Sequence, residues 1–192
     1  MKKLKKGRPG YIQARKMRYL LWAILEFAVV IAVFAIGYIQ TKSRLNVLTV
    51  VAVVGCLPAS KMLVEFIVMV PFKSIEMERY QEIREKTPLL VTAYDLLLTC
   101  SEKLMSVEAI VISEHVVCGY TGNHKTDEKA VAEHLKTLLT SNNYEKMTVK
   151  IFHDYTAFLS RAEGLNNMAS VSGTEPGRRE KSIRANILSV SM

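Results

Sequence analysis

Tyr19 to Ile39 is a run of 21 residues in which Glu26 is the only charged side chain. At ~1.5 Å per helical residue such a run reaches across a ~30 Å hydrocarbon layer, and few other destinations suit it. A second apolar stretch, residues 45–72, follows the polar Thr41-Lys42-Ser43-Arg44 link and is interrupted only by Lys61 and Glu65. The pair reads as a transmembrane helical hairpin with spans at 19–39 and 45–72. The first run is longer than a signal-peptide core and no Ala-x-Ala-like site follows it, so a cleaved leader is not expected.

Charge placement orients the hairpin. Residues 1–18 carry eight Lys or Arg and no acid, which is the whole formal charge of +8; the remaining residues are balanced. A high pI confined to a tail argues against a nucleic-acid partner, which wants a basic face on a folded domain. It favours the lipid bilayer and its anionic head groups, at about 1 kcal/mol per Lys or Arg near the surface. Lys42 and Arg44 lie in the link, while Lys73, Arg79, Arg84 and Lys86 follow the second span. The excess on the outer flanks places both termini in the cytoplasm and the chain in the cell membrane.

The ionisable residues inside the spans are the informative departure, because a charge at bilayer depth costs ~2.5–3.5 kcal/mol even on insertion scales. Counted from the cytoplasmic ends, Glu26 and Glu65 lie about 10 Å deep and Lys61 about 16 Å. Lys61 and Glu65 are spaced i,i+4, which puts them on one helix face. The expectation is a Glu26–Lys61–Glu65 cluster inside the hairpin or at an interface with a second subunit. Pro58, in Gly55-Cys56-Leu57-Pro58-Ala59-Ser60, cannot donate to the carbonyl of Val54 and should kink the second span. The small residues around it permit close helix approach. Cys56, Cys100 and Cys118 form no framework of close pairs and suit a reducing compartment.

From Lys73 onward the composition is that of a soluble domain. Residues 73–87 are strongly charged, with Ile75, Tyr80 and Ile83 as sparse apolar points before Pro88, and read as an amphipathic stalk helix. Val91–Thr99, Val107–Ser113 and Val116–Thr121 read as a three-stranded meander. Thr126, followed by Asp127 and Glu128, opens a helix carrying Val131, Leu135, Leu138 and Leu139; a strand at Met147–His153 and a helix capped by Asp154 follow. Residues 167–182 read as a mobile loop and Ile183–Val190 as a terminal strand. The order is β-β-β-α-β-α-β, an α+β cytoplasmic domain at 88–192 with its helices on one sheet face.

Chemistry is sparse in this domain. It contains no Gly-rich phosphate loop, His-Glu-x-x-His, Cys-x-x-Cys or Gly-x-Ser-x-Gly. His115 and Cys118 are too few for a zinc site, and His124, His134 and His153 are scattered. Cys118, among Val116, Val117 and Tyr120, reads as a buried thiol rather than a nucleophile. Asp95, Glu108, Glu114 and Asp154 read as solvated acids near strand edges, and Tyr120 and Tyr144 as packing residues. No catalytic residue, cofactor or metal site is expected.

The segment Thr41-Lys-Ser-Arg-Leu-Asn-Val-Leu-Thr-Val-Val-Ala-Val-Val-Gly-Cys-Leu-Pro-Ala-Ser-Lys61 resembles the signature of an uncharacterised family of small bacterial two-span membrane proteins. Val149-Lys-Ile-Phe-His-Asp154 and Ile187-Leu-Ser-Val-Ser191 are similar to its later segments. Members are sometimes labelled O-linked GlcNAc transferase-like. That activity needs a nucleotide-sugar domain and helical repeats for which this chain has no room, so the resemblance implies architecture alone. The resulting expectation is a membrane-tethered interaction or regulatory module with a protein partner or a second copy of itself. The alternatives are a subunit of a transport assembly using Glu26, Lys61 and Glu65, and a membrane-anchored enzyme without a recognisable motif.

Overall fold

A computed structural model describes residues 4–42, 46–100, 103–144, 146–173 and 177–192. Arg44 and Leu45, on which the link and the start of the second span were placed, lie outside these residues, as does 174–176 of the expected loop. The chain forms two compact units, Ile12–Phe72 and a second made of Met1–Tyr11 with Lys73–Met192.

The first unit is two helices, α1 (Tyr11–Thr41) and α2 (Val47–Met69). Both are long and apolar enough to cross a membrane. Helix α1 starts eight residues before the expected span, so Arg15, Lys16 and Arg18 are helical rather than part of a tail. Asn46 caps α2, its Oδ1 accepting from the Thr49 amide at 2.7 Å. The helix runs through Pro58 and ends at Met69; Val70 keeps helical backbone as its cap, and Pro71, with no N–H to donate, follows.

The helices pack along two seams with alternating spacings of four and three: Tyr19, Ala23, Glu26, Val30, Val33 and Gly37 on α1, and Leu48, Ala52, Gly55, Ala59, Met62 and Phe66 on α2. A Cβ on Gly37 would lie 2.7 Å from Leu48 Cβ, and one on Gly55 3.1 Å from Val30 Cγ2. Glycine at both places is what lets the backbones approach. The outward faces are apolar, with Ile39 at 73% and Leu57 at 71% exposure.

The second unit is a mixed α+β sandwich. A four-stranded sheet of order β1-β2-β3-β4 comprises β1 (Val91–Cys100), β2 (Lys103–Ser113), β3 (Val116–Tyr120) and β4 (Thr148–Phe152). The first three strands form the antiparallel meander read from the sequence, and β4 joins β3 in parallel through helix α4 (Glu128–Ser141). Asp127, not Thr126, caps α4, accepting from the Lys129 and Ala130 amides. Asp154 caps α5 (Tyr155–Ser172) as expected.

Helices cover both sheet faces, not one. Val131, Leu135 and Leu139 of α4 join Ile183 and Ile187 over one face; Ile83 of α3 (Met77–Lys86) and Phe158, Ala162 and Leu165 of α5 cover the other. Three further sequence expectations are corrected here. The terminal strand is a helix, α6 (Arg178–Val190): Ile183 and Ile187 bury completely and Leu188 packs beside them, while Ala185, which a strand would turn to the same face, is exposed. The expected 167–182 loop is largely helical, since α5 continues to Ser172 before Gly173 caps it at φ 63°. Helix α3 is no projecting stalk, because Ile83 is fully buried in the core of this unit.

Candidate functional site

The most constrained polar cluster of the sheet unit arises from a fault in two strands. Along β1, Ala93 faces α4 and α6 and Tyr94 faces α3 and α5, yet Leu96, Leu98 and Cys100 return to the α4/α6 face. Regular alternation would have sent Asp95 there. Instead Asp95 takes φ +55°, in the left-handed region, and the strand slips by one residue. Strand β2 slips at the facing position, Glu108, between Val107 and Ala109. Neither strand gains a residue on the other, so pairing resumes in register at Leu96 and Val107.

The slip turns two carboxyl groups toward α3. Asp95 is 2% exposed, and its Oδ1 accepts from the Ile75 amide at 2.9 Å. Glu108 Oε1 accepts from the Gly122 amide at 3.1 Å. Burial raises the Glu108 pKa, with the Gly122 amide and the Arg79 charge opposing and the Asp95 charge adding to the rise. Neither acid is the solvated strand-edge residue expected from the sequence.

Arg79 and Glu82 of α3 complete the cluster. The Arg79 guanidinium donates from Nη1 to the Tyr120 hydroxyl at 2.5 Å and lies 5.0 Å over the Tyr155 ring, while its Nε pairs with Glu76 at 3.2 Å. Tyr155 donates to Glu82 Oε2 at 2.7 Å and meets Tyr120 edge to face at 5.2 Å. Desolvation raises the pKa of both phenols, and the Glu82 hydrogen bond raises that of Tyr155 further. Both are therefore donors at neutral pH. Tyr120 is thus more than the packing residue expected. The cluster fastens α3 to the sheet.

On the same β1 segment, the Tyr94 amide donates to the Gly7 carbonyl at 3.2 Å. Lys6 Nζ donates to the Ser191 carbonyl at 2.8 Å, and the Met192 amide to Leu97 O at 2.9 Å. Residues 6 and 7 are therefore built into the sheet unit rather than free in a basic tail. Gly7 precedes the two apolar helices in the chain and Ile75 follows them, and both are held by neighbouring residues, Tyr94 and Asp95.

The sequence-predicted polar residues are brought together only in part. Contacts of Gly37 with Leu48, Val30 with Gly55 and Tyr19 with Glu65 run in one antiparallel register, which sets Glu26 level with Ala59. Glu65 pairs with the Tyr19 hydroxyl, which also accepts from Arg15 Nη2 at 2.9 Å. Glu26 lies on the seam, and its Oε2 is buried with no hydrogen-bond partner among the described residues. Lys61 falls between the seam positions Ala59 and Met62, is exposed, and forms no ion pair among the described residues. The three therefore do not join within one chain. Pro58 is exposed on the outer face of α2, and two residues on Ser60 donates to the Cys56 carbonyl at 2.7 Å. Lys16 Nζ, which no sequence argument singled out, donates to the Val70 and Phe72 carbonyls beyond α2. A cation there complements the negative end of the helix dipole.

The remaining candidates separate. Cys118 is 1% exposed and burial raises its thiol pKa, whereas His115 is an exposed turn residue beside Arg179. His153 lies between the Thr121 and Thr126 carbonyls, at 3.1 and 3.0 Å, and stacks with His124. Glu114 occupies the β2–β3 turn at φ +31° and Asp154 is a helix cap. Among the described residues no three His, Cys, Asp or Glu side chains gather as a metal site. No family model, curated protein or solved structure matches this chain.

Proposed function

We propose that the chain is an integral protein of the cell membrane, of the kind represented by small bacterial two-span proteins, whose sheet domain acts in the cytoplasm by binding. Helices α1 and α2 cross the bilayer as a hairpin, both termini are cytoplasmic, and the domain is an interaction or regulatory module. The observation that carries this reading is the closure of the chain at β1. Gly7 and Ile75 flank the two apolar helices and are held by adjacent residues of one strand, so the chain leaves and re-enters the domain on one side of any barrier. An even number of crossings follows, and two helices supply it.

The apolar outward faces of α1 and α2 support the same reading, since a contiguous apolar surface of this size calls for lipid or protein cover. Anionic head groups suit the basic residues around α1. Regulation suits the polar cluster at β1 and α3, because any rearrangement of Asp95 or Arg79 acts on the segment leading out of α2. The test is alkaline carbonate extraction of cell membranes, then cross-linking in cells and purification in mild detergent. Retention in the membrane pellet and a specific protein partner or self-oligomer is the expected result. Release by carbonate contradicts the membrane part, and a homogeneous monomer without partner contradicts the module part.

One observation favours a second reading, a subunit of a transport assembly. Glu26 keeps a buried carboxylate oxygen unpartnered among the described residues, and Lys61 presents an ammonium on the exposed side of α2, a position that costs ~2.5–3.5 kcal/mol in lipid. A neighbouring subunit carrying an acid would relieve it. Under this reading Lys61→Met changes assembly or ion flux; unchanged assembly and flux leave only the module.

A further inference from the structure

A cavity of about 140 Å³ opens between the start of β1, the β2–β3 turn, the C-terminal half of α5 and the first turn of α6. Leu89, Leu90, Ile112, Val116, Leu165 and Met168 form an apolar wall, and Ser113, Glu114, His115 and Ser172 line it beside them. The remaining polar lining residue, Glu180, is the buried one. Glu180 is 8% exposed, and its Oε2 is buried with no hydrogen-bond partner among the described residues.

The first turn of α6 favours a negative side chain there through the helix dipole, which accounts for an acid at this position. The dipole does not replace a missing donor, and an unpartnered buried carboxylate oxygen carries a desolvation cost that folded proteins ordinarily avoid. Of the two basic residues that flank it in sequence, Arg179 turns its Nη2 to His115 Nδ1, 3.4 Å away on another lining residue, and Lys181 is exposed. Gly177 leaves the oxygen room, since a Cβ there would stand 3.0 Å from it. A cavity of ~150 Å³ with apolar walls accepts a benzene-sized body.

We propose that this cavity binds a small organic cation, an amine or amidine whose charged head donates to Glu180 and whose body, one ring or five to six carbons, fills the space beneath Leu165. The site lies wholly within the sheet unit and does not depend on the membrane reading. It makes the domain a receptor for a small molecule, with the ligand seated between the residues leading into β1 and helix α6.

The test is saturation-transfer NMR on the full chain in lipid nanodiscs, with 2-phenylethylamine as probe and 2-phenylethanol as its neutral counterpart. The amine binds saturably and at least about tenfold more tightly than the alcohol, a difference of about 1.4 kcal/mol. Glu180→Gln removes that preference. Met168→Trp, at an exposed rim position, blocks both probes while leaving the core intact, and it decides the matter if Glu180→Gln does not fold. Equal binding of amine and alcohol, a signal that never saturates, or undiminished amine preference in Glu180→Gln overturns the proposal.

Discussion

Asp95 Oδ1 accepts the Ile75 amide at 2.9 Å from a backbone position, φ +55°, that a strand residue rarely adopts. The strain and the bond belong together. The left-handed conformation turns the carboxylate out of the α4/α6 core and onto the segment that enters the sheet unit ahead of α3.

Asp95→Ala is expected to cost about 2–4 kcal/mol, combining an orphaned buried amide with a left-handed non-glycine residue that has no local hydrogen bond to offset it. Asp95→Asn keeps an acceptor and tolerates the conformation, so it costs least. Asp95→Gly removes the backbone strain but not the orphaned amide and falls between. Thermal unfolding in detergent ranks the three.

Tyr155→Phe removes the donor to Glu82 while keeping the ring under Arg79, and is expected to cost about 0.5–1.5 kcal/mol. Arg79→Met costs more, because it leaves the buried Tyr120 hydroxyl without its guanidinium partner and removes the cation from two aromatic faces. In the double variant the losses should fall short of their sum, since both side chains belong to one cluster. A double-mutant cycle measured by chemical denaturation reads this directly.

Burial raises the Glu108 pKa in the folded chain above its unfolded value near about 4.3. For an acid shifted this way the folded state favours the protonated form. Its contribution is fully present below the unfolded pKa and is lost as pH rises through the folded one. Glu108→Gln keeps the acceptor for Gly122 without titrating. Its stability should match the wild type near pH 4 and exceed it at neutral pH, as denaturation curves across that range would reveal.

Two glycines should respond in opposite directions. Gly37→Val places a branched side chain where even a Cβ would meet Leu48 Cβ at 2.7 Å, and should destabilise the α1–α2 pair by about 1–3 kcal/mol. Gly164→Ala, where a Cβ meets nothing within 4 Å, should stabilise α5 by about 0.5–1 kcal/mol. Unfolding of each variant in the same detergent measures both.

Much of this architecture was legible in particular residues. The two apolar runs, the meander, and the helix cap at Asp154 were read from spacing and side-chain chemistry. The fate of Lys61 was also available, because the 19-23-26-30-33-37 and 48-52-55-59-62-66 spacings exclude position 61 from the seam, whereas the i,i+4 relation to Glu65 alone drew it in. Ile183, Ile187 and Leu188, at i, i+4 and i+5, carried a helical spacing that the β-branched composition of the segment concealed. The Asp95–Glu108 slip was not legible. An acid inside an apolar strand marks an irregularity, but its direction depends on Ile75, twenty residues earlier, and on a facing slip in β2. Arg79 and Tyr155 were likewise invisible as a pair, since a tertiary contact between α3 and α5 has no local signature.

In the proposed topology an even number of membrane crossings separates Gly7 from Ile75. Its most direct test is labelling of single cysteines, introduced at Lys6, Lys42 and Met192 in a chain lacking its native cysteines, with a membrane-impermeant maleimide. Intact cells should label only position 42, and inverted membrane vesicles only positions 6 and 192. Labelling of positions 6 and 192 from opposite sides, or of all three from the same side, contradicts the hairpin.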